Sequence, residues 1–397
     1  MAREGLEVAD VFRRFGPAFR DRHGASLSTA RWKAMNAIER CRTAALGGHV
    51  ERCGDCGHQR IAYNSCRNRN CPKCQGLERA QWLEDRQAEL LDVPYFHVVF
   101  TVPAEIEAIA FQNQTVVYDI LFRAASETLR TIARDPKHLG AEIGFLAVLH
   151  TWGQNLMHHP HVHCLVPGGG IAPDGKSWIA CRPGFFLPVR VLSRMFRGLF
   201  LHYLERAFAA GELRFFSAYR PLHEPAAFRR YLTRVHRTEW VVYAKRPFAG
   251  PAQVLDYVGR YTHRVAISNN RLLSMDDGNV RFRWKDYRDG NRQKTMTLDG
   301  GEFMRRFLIH VLPDGFHRIR YFGFLGNCQR ARKLARCREL LGMAPPGPAD
   351  PAVDYRDRFE ALTGRSLREC PHCRTGVMVV IESIARLTVC QAVPDTS

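Results

Sequence analysis

A chain of 397 residues, 46% of them apolar, has enough material for packed cores in two or three units, which excludes a disordered or fibrous protein. Its 58 Lys and Arg against 39 Asp and Glu leave a formal charge of +19, an excess that favours a polyanion, most simply nucleic acid, without separating DNA, RNA and anionic lipid. No run reaches the ~18 uninterrupted apolar residues of a membrane helix and no signal peptide is visible, so a soluble cytoplasmic chain is expected, whose thirteen cysteines serve as metal ligands or free thiols rather than disulfides.

In chain order, residues 4–45 read as two amphipathic helices. The Cys-, Gly- and Asn-rich stretch from His49 to Gly76 shows little helical or strand periodicity and needs something other than a core to hold it. LERAQWLEDRQAELLDV is helical in character, and Tyr95–Val102 is a buried strand ended by Pro103. Helical patterns fill 104–134; IGFLAVLHTWG and HVHCLVPGG then form neighbouring antiparallel strands joined by the turn-rich NLMHHP. Helices follow at 188–210 and 224–237, then WVVYAK as a strand, PAQVLDYVGRYTHR as a helix, and a hairpin about Asp289-Gly290. GMAPPGPADPA is a linker by composition. Three regions result: a helical and zinc-binding module at 1–92, a catalytic domain at 93–325, and a helical tail at 326–397 with a lone CxxC.

Cys53-x2-Cys56 and Cys71-x2-Cys74, fourteen residues apart, have the spacing of two knuckles closing on one structural zinc ion. Cys66 either replaces one of the four or sits beside the metal. Arg60, Arg67, Arg69 and Lys73 surround these cysteines and suit phosphate contacts. Cys370-x2-Cys373 stands alone in the tail, with Cys390 or His372 as the available partners for a second ion.

His161 and His163 share one face of a strand, where two imidazoles can chelate a divalent ion. The preceding strand offers Gln154 and His150 as a third ligand. Gln154 is preferred, because a carbonyl oxygen keeps the site hard enough for Mg²⁺ or Mn²⁺, with His150 as the alternative. Tyr257 and Tyr261 are one helical turn apart, each followed three residues later by a cation, Arg260 and Arg264. A phenol with a pKa near ~10 is a poor nucleophile unaided. The guanidiniums are placed to hold a scissile phosphate or its developing charge. Arg281, Arg283, Trp284 and Lys285 in RFRWKDYR interleave cations with aromatic rings, a pattern that suits a single-stranded DNA groove with stacked bases.

The succession CxxC, SCRNRNCPKC, YFHVVFTVP, HTWGQNLMHHPHVHCLVPGG and DYVGRYTHRVAISNNR resembles the two-tyrosine HUH transposases of rolling-circle insertion sequences, the insertion sequence 91 group, over about residues 30 to 330. The resemblance implies an α+β fold, a central antiparallel sheet flanked by helices (the HUH endonuclease fold), preceded by a zinc-binding module. It implies that His161 and His163 hold the catalytic metal and that Tyr257 and Tyr261 cleave and rejoin single-stranded DNA at element ends through 5′-phosphotyrosine intermediates. The partners are then transposon-end and target DNA in a bacterial cytoplasm, at the nucleoid, with unwinding supplied by a host helicase or by replication, and no membrane. A plasmid or phage replication initiator, a non-catalytic zinc-dependent DNA-binding regulator, and a metallohydrolase using HPHVH to activate water are the competing readings.

Overall fold

A computed structural model describes residues 5–75, 81–83, 86, 89–245, 259, 266–287, 289–345, 354–364 and 366–387. The chain forms two compact units and visits each more than once. Met1–Trp82, His263–Val311 and Ala349–Ser397 make the first, Leu83–Thr262 and Leu312–Pro348 the second. These two units are not the three regions with cuts at 92 and 325. The tail belongs with the N-terminal module because its strand pairs there.

In the first unit, helices Val8–His23 and Thr29–Arg40 form where the sequence predicts two. The first packs on helix Gly300–Leu308, with the Phe12 and Phe307 rings edge-to-face at 5.2 Å. Asp299 caps that helix by accepting from the N–H groups of Gly301 and Glu302. The stretch expected to lack periodicity holds two short strands, β1 (Gly48–Cys53) and β2 (Gln59–Tyr63), paired antiparallel. Their inward and outward residues do not follow a hydrophobic alternation, which is why sequence periodicity passes over them. In the same unit β9 (Leu272–Asp276), β10 (Asn279–Asp286) and β11 (Arg292–Asp299) form an antiparallel sheet. The β10–β11 turn is the expected one at Asp289-Gly290, with Gly290 and Asn291 both left-handed at φ 57° and 65°. The tail contributes a helix, Tyr355–Thr363, and a strand, β13 (Met378–Ile384), which pairs antiparallel with β1.

The second unit is built on a five-stranded antiparallel sheet: β3 (Tyr95–Thr101), β4 (Gly144–Trp152), β5 (His158–Pro167), β8 (Val242–Lys245) and β12 (Ile319–Gly323), in the order β12-β4-β5-β3-β8. Strand residues alternate between faces. Phe96, Val98 and Phe100 of β3, Phe145, Ala147 and Leu149 of β4, and Val162, Cys164 and Val166 of β5 all join one buried core. That core also takes the apolar sides of helices Gln114–Arg134, Val189–Ala209 and Pro225–Arg237. Two small strands, β6 (Gly169–Ile171) and β7 (Trp178–Ala180), pair beside it. This is the expected α+β arrangement of an antiparallel sheet flanked by helices. No described helix is long and apolar enough to cross a membrane.

Phe100 is fully buried on the helix-covered face, whereas Tyr243, on the opposite face, is 56% exposed. Phe100→Ala is expected to destabilise the protein by ~3–5 kcal/mol and Tyr243→Ala by at most about 0.5 kcal/mol, as read from urea denaturation midpoints.

Candidate functional site

The face of the central sheet opposite the helices carries a cluster of histidines. β5 is flanked by β4 and β3, with His161 opposite His150 and Thr101, and His163 opposite Val148 and Val99. Because β5 alternates, His161 and His163 point away from the core that takes Val162 and Cys164. His150, buried, brings its ring centre to 4.4 Å from that of His163 and 5.5 Å from that of His161. Ligand nitrogens of His150, His161 and His163 lie within 4.8 Å of one another.

The trio includes the alternative third ligand, His150, and places the preferred one, Gln154, off the strand. Gln154 lies beyond the end of β4, in the turn between Gly153 and Met157, because β4 stops at Trp152 and its register with β5 shifts between His150 and Trp152. His150, the alternative, is still on the ladder. His158 and His159, at the start of β5, have other partners. His158 faces the core side, donating from Nδ1 to the Glu107 carbonyl and accepting at Nε2 from the Tyr118 hydroxyl. His159 pairs with the Glu107 carboxylate at 2.6 Å.

Hydrogen bonds fix which nitrogens are offered. His161 Nδ1 lies 2.7 Å from the carbonyl oxygen of His159. An oxygen there only accepts, so Nδ1 holds the proton and Nε2 keeps its lone pair. His163 Nδ1 is 2.7 Å from Nε2 of His97 on β3, and the two rings are nearly parallel. Burial lowers the pKa of both His97 and His161 to about 4, so both are neutral imidazoles at pH 7, the form that binds metal. His97 was not legible as part of the site: in YFHVVF it reads as a polar interruption of a buried strand, and its parity with His161 and His163 appears only once β3 and β5 are in register. Three imidazoles on a rigid sheet, two of them oriented by a second hydrogen bond, are a donor set that fits a divalent first-row metal.

Tyr257, Tyr261, Arg260 and Arg264 lie outside the described residues. Gly259 between them is helical and buried.

The cysteines do not close as the two-knuckle spacing predicts. Cys53 and Cys56 sit with Cys370 and Cys373, while Cys71 and Cys74 sit with Cys41 and Cys66. Cys66 is thus a member of a foursome rather than a bystander. Cys41 follows helix Thr29–Arg40 with no CxxC to mark it, and sequence spacing alone gives it no signal. In this foursome Cys74 lies 3.6 Å from both Cys41 and Cys66. The crowding splits the thiols: hydrogen bonds from Cys41, Cys66 and Cys71 lower Cys74, while Cys71 is raised. Four sulfurs competing to share protons in this way are what a cation resolves, and four thiolates leave no open position for chemistry.

The basic residues around the cysteines are partly engaged within the fold. Lys73 ion-pairs with Glu7 at 2.5 Å and is nearly buried. Arg60 binds the buried Glu51 at 2.5 Å and donates to the Leu367 carbonyl at 2.7 Å. Arg67 is exposed and Arg69 half-buried. On β10, Arg281, Arg283 and Lys285 are exposed on one face with Tyr287, whereas Phe282 is buried against Phe303 and Trp284 is half-buried beside Lys294. The expected single groove of alternating rings and cations is therefore two faces, because the strand alternates.

A family described as "Putative transposase" matches residues 144–332, and one described as "Transposase zinc-binding domain" matches residues 11–102. The chain is 67% identical, over all of both sequences, to "Putative transposase y4qJ" of Sinorhizobium fredii (strain NBRC 101917 / NGR234). It is 30% identical to "Transposase for insertion sequence element IS801" of Pseudomonas savastanoi pv. phaseolicola, over 88% of this chain and 83% of that one. No solved structure matches it significantly.

If His150 rather than Gln154 completes the trio, His150→Ala weakens Mn²⁺ binding by at least about 10-fold, within the ~10–100-fold typical even of outer-shell losses, while Gln154→Ala leaves it within about twofold. Calorimetric titration of the two variants reads the difference.

Proposed function

The chain belongs to the insertion sequence 91 group of transposases, and on that premise we propose that it cleaves and rejoins single-stranded DNA at element ends, with Tyr257 and Tyr261 as nucleophiles. The observation that carries this reading is the histidine trio on the sheet face away from the helices, in a chain whose sequence repeats Tyr-x-x-Arg twice.

A divalent ion bound by His150, His161 and His163 would supply Lewis-acid polarisation of the scissile phosphate. Donor chemistry favours Mn²⁺ over Mg²⁺ there, since three imidazoles are a softer set than the two imidazoles and an amide oxygen of the Gln154 arrangement. The His159 carbonyl holds His161 in the tautomer that offers Nε2, and His97 orients the His163 ring. One phenol oxygen attacks phosphorus, forming a 5′-phosphotyrosine, and the departing deoxyribose oxygen leaves as a free 3′-hydroxyl. The second tyrosine repeats the step on another strand without loss of the first linkage. Arg260 and Arg264, one turn beyond each phenol, offset charge on the phosphate. The phosphodiester energy is kept in the tyrosyl ester, so rejoining needs no nucleotide; the one GxxxxGK[ST] match, Gly170 to Ser177, runs from β6 into β7 and opens no helix, unlike a nucleotide-binding loop. Strand separation then falls to a host helicase or to replication, at the bacterial nucleoid. The exposed Arg281, Arg283 and Lys285 with Tyr287, together with Arg67 and Arg69, contact the DNA backbone.

Incubation with single-stranded DNA from the element's ends and Mn²⁺, followed by denaturing electrophoresis, should give a covalent adduct that maps to Tyr257 or Tyr261. The Tyr257→Phe, Tyr261→Phe double variant should give none. His161→Ala should abolish the adduct while single-strand binding survives. Hydrolysed ends from the double variant would favour a metal-activated water instead.

Replacing Arg281 and Lys285 together by Ala should weaken single-strand binding at all sequences and reduce the slope of log affinity against log salt by about 1.4, from ~0.7 per phosphate contact. Fluorescence anisotropy across a salt series measures this, and an unchanged slope would remove the β10 face from the interface.

A further inference from the structure

The tail cysteines stand within the first unit, beside a pair they do not neighbour in sequence. Cys53 Sγ is 3.7 Å from Cys373 Sγ and Cys56 Sγ is 3.7 Å from Cys370 Sγ, across as many as 320 residues of chain. A disulfide needs about 2.05 Å. Four sulfurs at about 2.3 Å from a common tetrahedral centre stand about 3.8 Å apart, which is the spacing found. The spacing is therefore that of a four-thiolate metal site rather than of two crosslinks.

Both halves are built as knuckles. The His372 N–H points to Cys370 Sγ at 3.4 Å and the Gly376 N–H to Cys373 Sγ at 3.3 Å, contacts that favour the thiolate. Gly376 is required by close approach, since a Cβ there would lie 2.3 Å from Cys53 Sγ. Beside the sulfurs the Gly54 N–H donates to the Val377 carbonyl at 3.1 Å, joining module to tail, while the Cys370 N–H donates to the Gly376 carbonyl at 2.8 Å within the tail's own turn. β13 continues from there along β1, with Met378 opposite Cys53. The rings of His58 and His372, one from each knuckle, stack at 5.4 Å. Among the described residues the apolar cluster beneath is Cys53, Cys370 and Met378, with Cys373 packed against it. A core that small does not hold a sheet together unaided, and a metal ion supplies the missing free energy.

We propose that Cys370 and Cys373 complete, with Cys53 and Cys56, a second structural zinc site, so that the folded chain carries two zinc ions and its C-terminal strand is clasped to the N-terminal module by one of them. The other ion belongs to Cys41, Cys66, Cys71 and Cys74. The clasp is independent of the strand-transfer chemistry and stands or falls without it.

Elemental analysis of the full-length protein, purified under reducing conditions, should find about two zinc ions per chain. The Cys370→Ser, Cys373→Ser double variant should keep about one, as should Cys41→Ser, Cys66→Ser, with the four-fold variant near zero. One zinc in the unmodified protein, or two in the Cys370→Ser, Cys373→Ser variant, would overturn the assignment. A measurement on the unmodified chain covers the case in which the variants do not fold. With graded chelator, alkylation followed by peptide mass spectrometry should show Cys53, Cys56, Cys370 and Cys373 becoming reactive together, in step with loss of one zinc. Labelling of Cys370 and Cys373 before any zinc is released would refute the clasp.

Discussion

The two-residue period of a β-strand governs the second unit of this protein. Once Phe96, Val98 and Phe100, then Phe145, Ala147 and Leu149, then Val162, Cys164 and Val166 are committed to the helices, the intervening residues of β3, β4 and β5 have one remaining side. His97, His150, His161 and His163 all occupy that side. A slip of one residue in β5 would bury His161 and His163 and expose Val162, Cys164 and Val166, so the same hydrophobic force that folds the sheet fixes the register of the histidine cluster. Even the neighbouring histidines obey the rule: His158 has core parity and bonds to the buried Tyr118, while His159 has site parity and reaches Glu107 instead.

This explains what could be read in advance. The strands, their antiparallel pairing and the shared face of His161 and His163 follow from alternation within a few residues, and the helices at 104–134, 189–209 and 225–237 follow from longer periodic runs. The third ligand was harder, because Gln154 and His150 have the same parity relative to His161. Parity does not say where a strand ends. The break at Trp152 and the tight turn after it leave His150 on the ladder and Gln154 off it, and such a break depends on cross-strand register, which a single segment does not display. His97 was hidden for a related reason: its meaning comes from β3 lying beside β5, a non-local fact.

The basic hairpin shows the same physics in reverse. RFRWKDYR reads along the chain as cations and rings interleaved, but alternation sorts them, with Phe282 into the core beside Phe303 and Arg281, Arg283 and Lys285 to solvent. Stacking capacity on the cationic face therefore rests with Tyr287, which is 64% exposed and has the Lys285 ammonium 5.8 Å from its ring centre. Phosphate attraction rather than base stacking dominates a face of this composition, and such a face holds single strands with little regard for sequence. On the proposed reading, discrimination among element ends then has to come from elsewhere in the chain.

The cysteines failed the sequence argument for an energetic reason. A CxxC knuckle is local, and spacing finds all three: Cys53/Cys56, Cys71/Cys74 and Cys370/Cys373. Which knuckle meets which is a tertiary matter. Closing a loop of over 300 residues instead of one of fourteen costs only about 3 kcal/mol more in chain entropy, by the logarithmic dependence on length. A structural zinc site binds with ~10–16 kcal/mol, so nearness in sequence is a weak guide to shared ligation. The deciding terms are geometric. β13 pairs with β1 and carries its knuckle to Cys53 and Cys56. Cys41, at the end of its helix, and Cys66 already complete the cage of Cys71 and Cys74. A terminal strand fixed by metal does not fray as an ordinary C-terminus would.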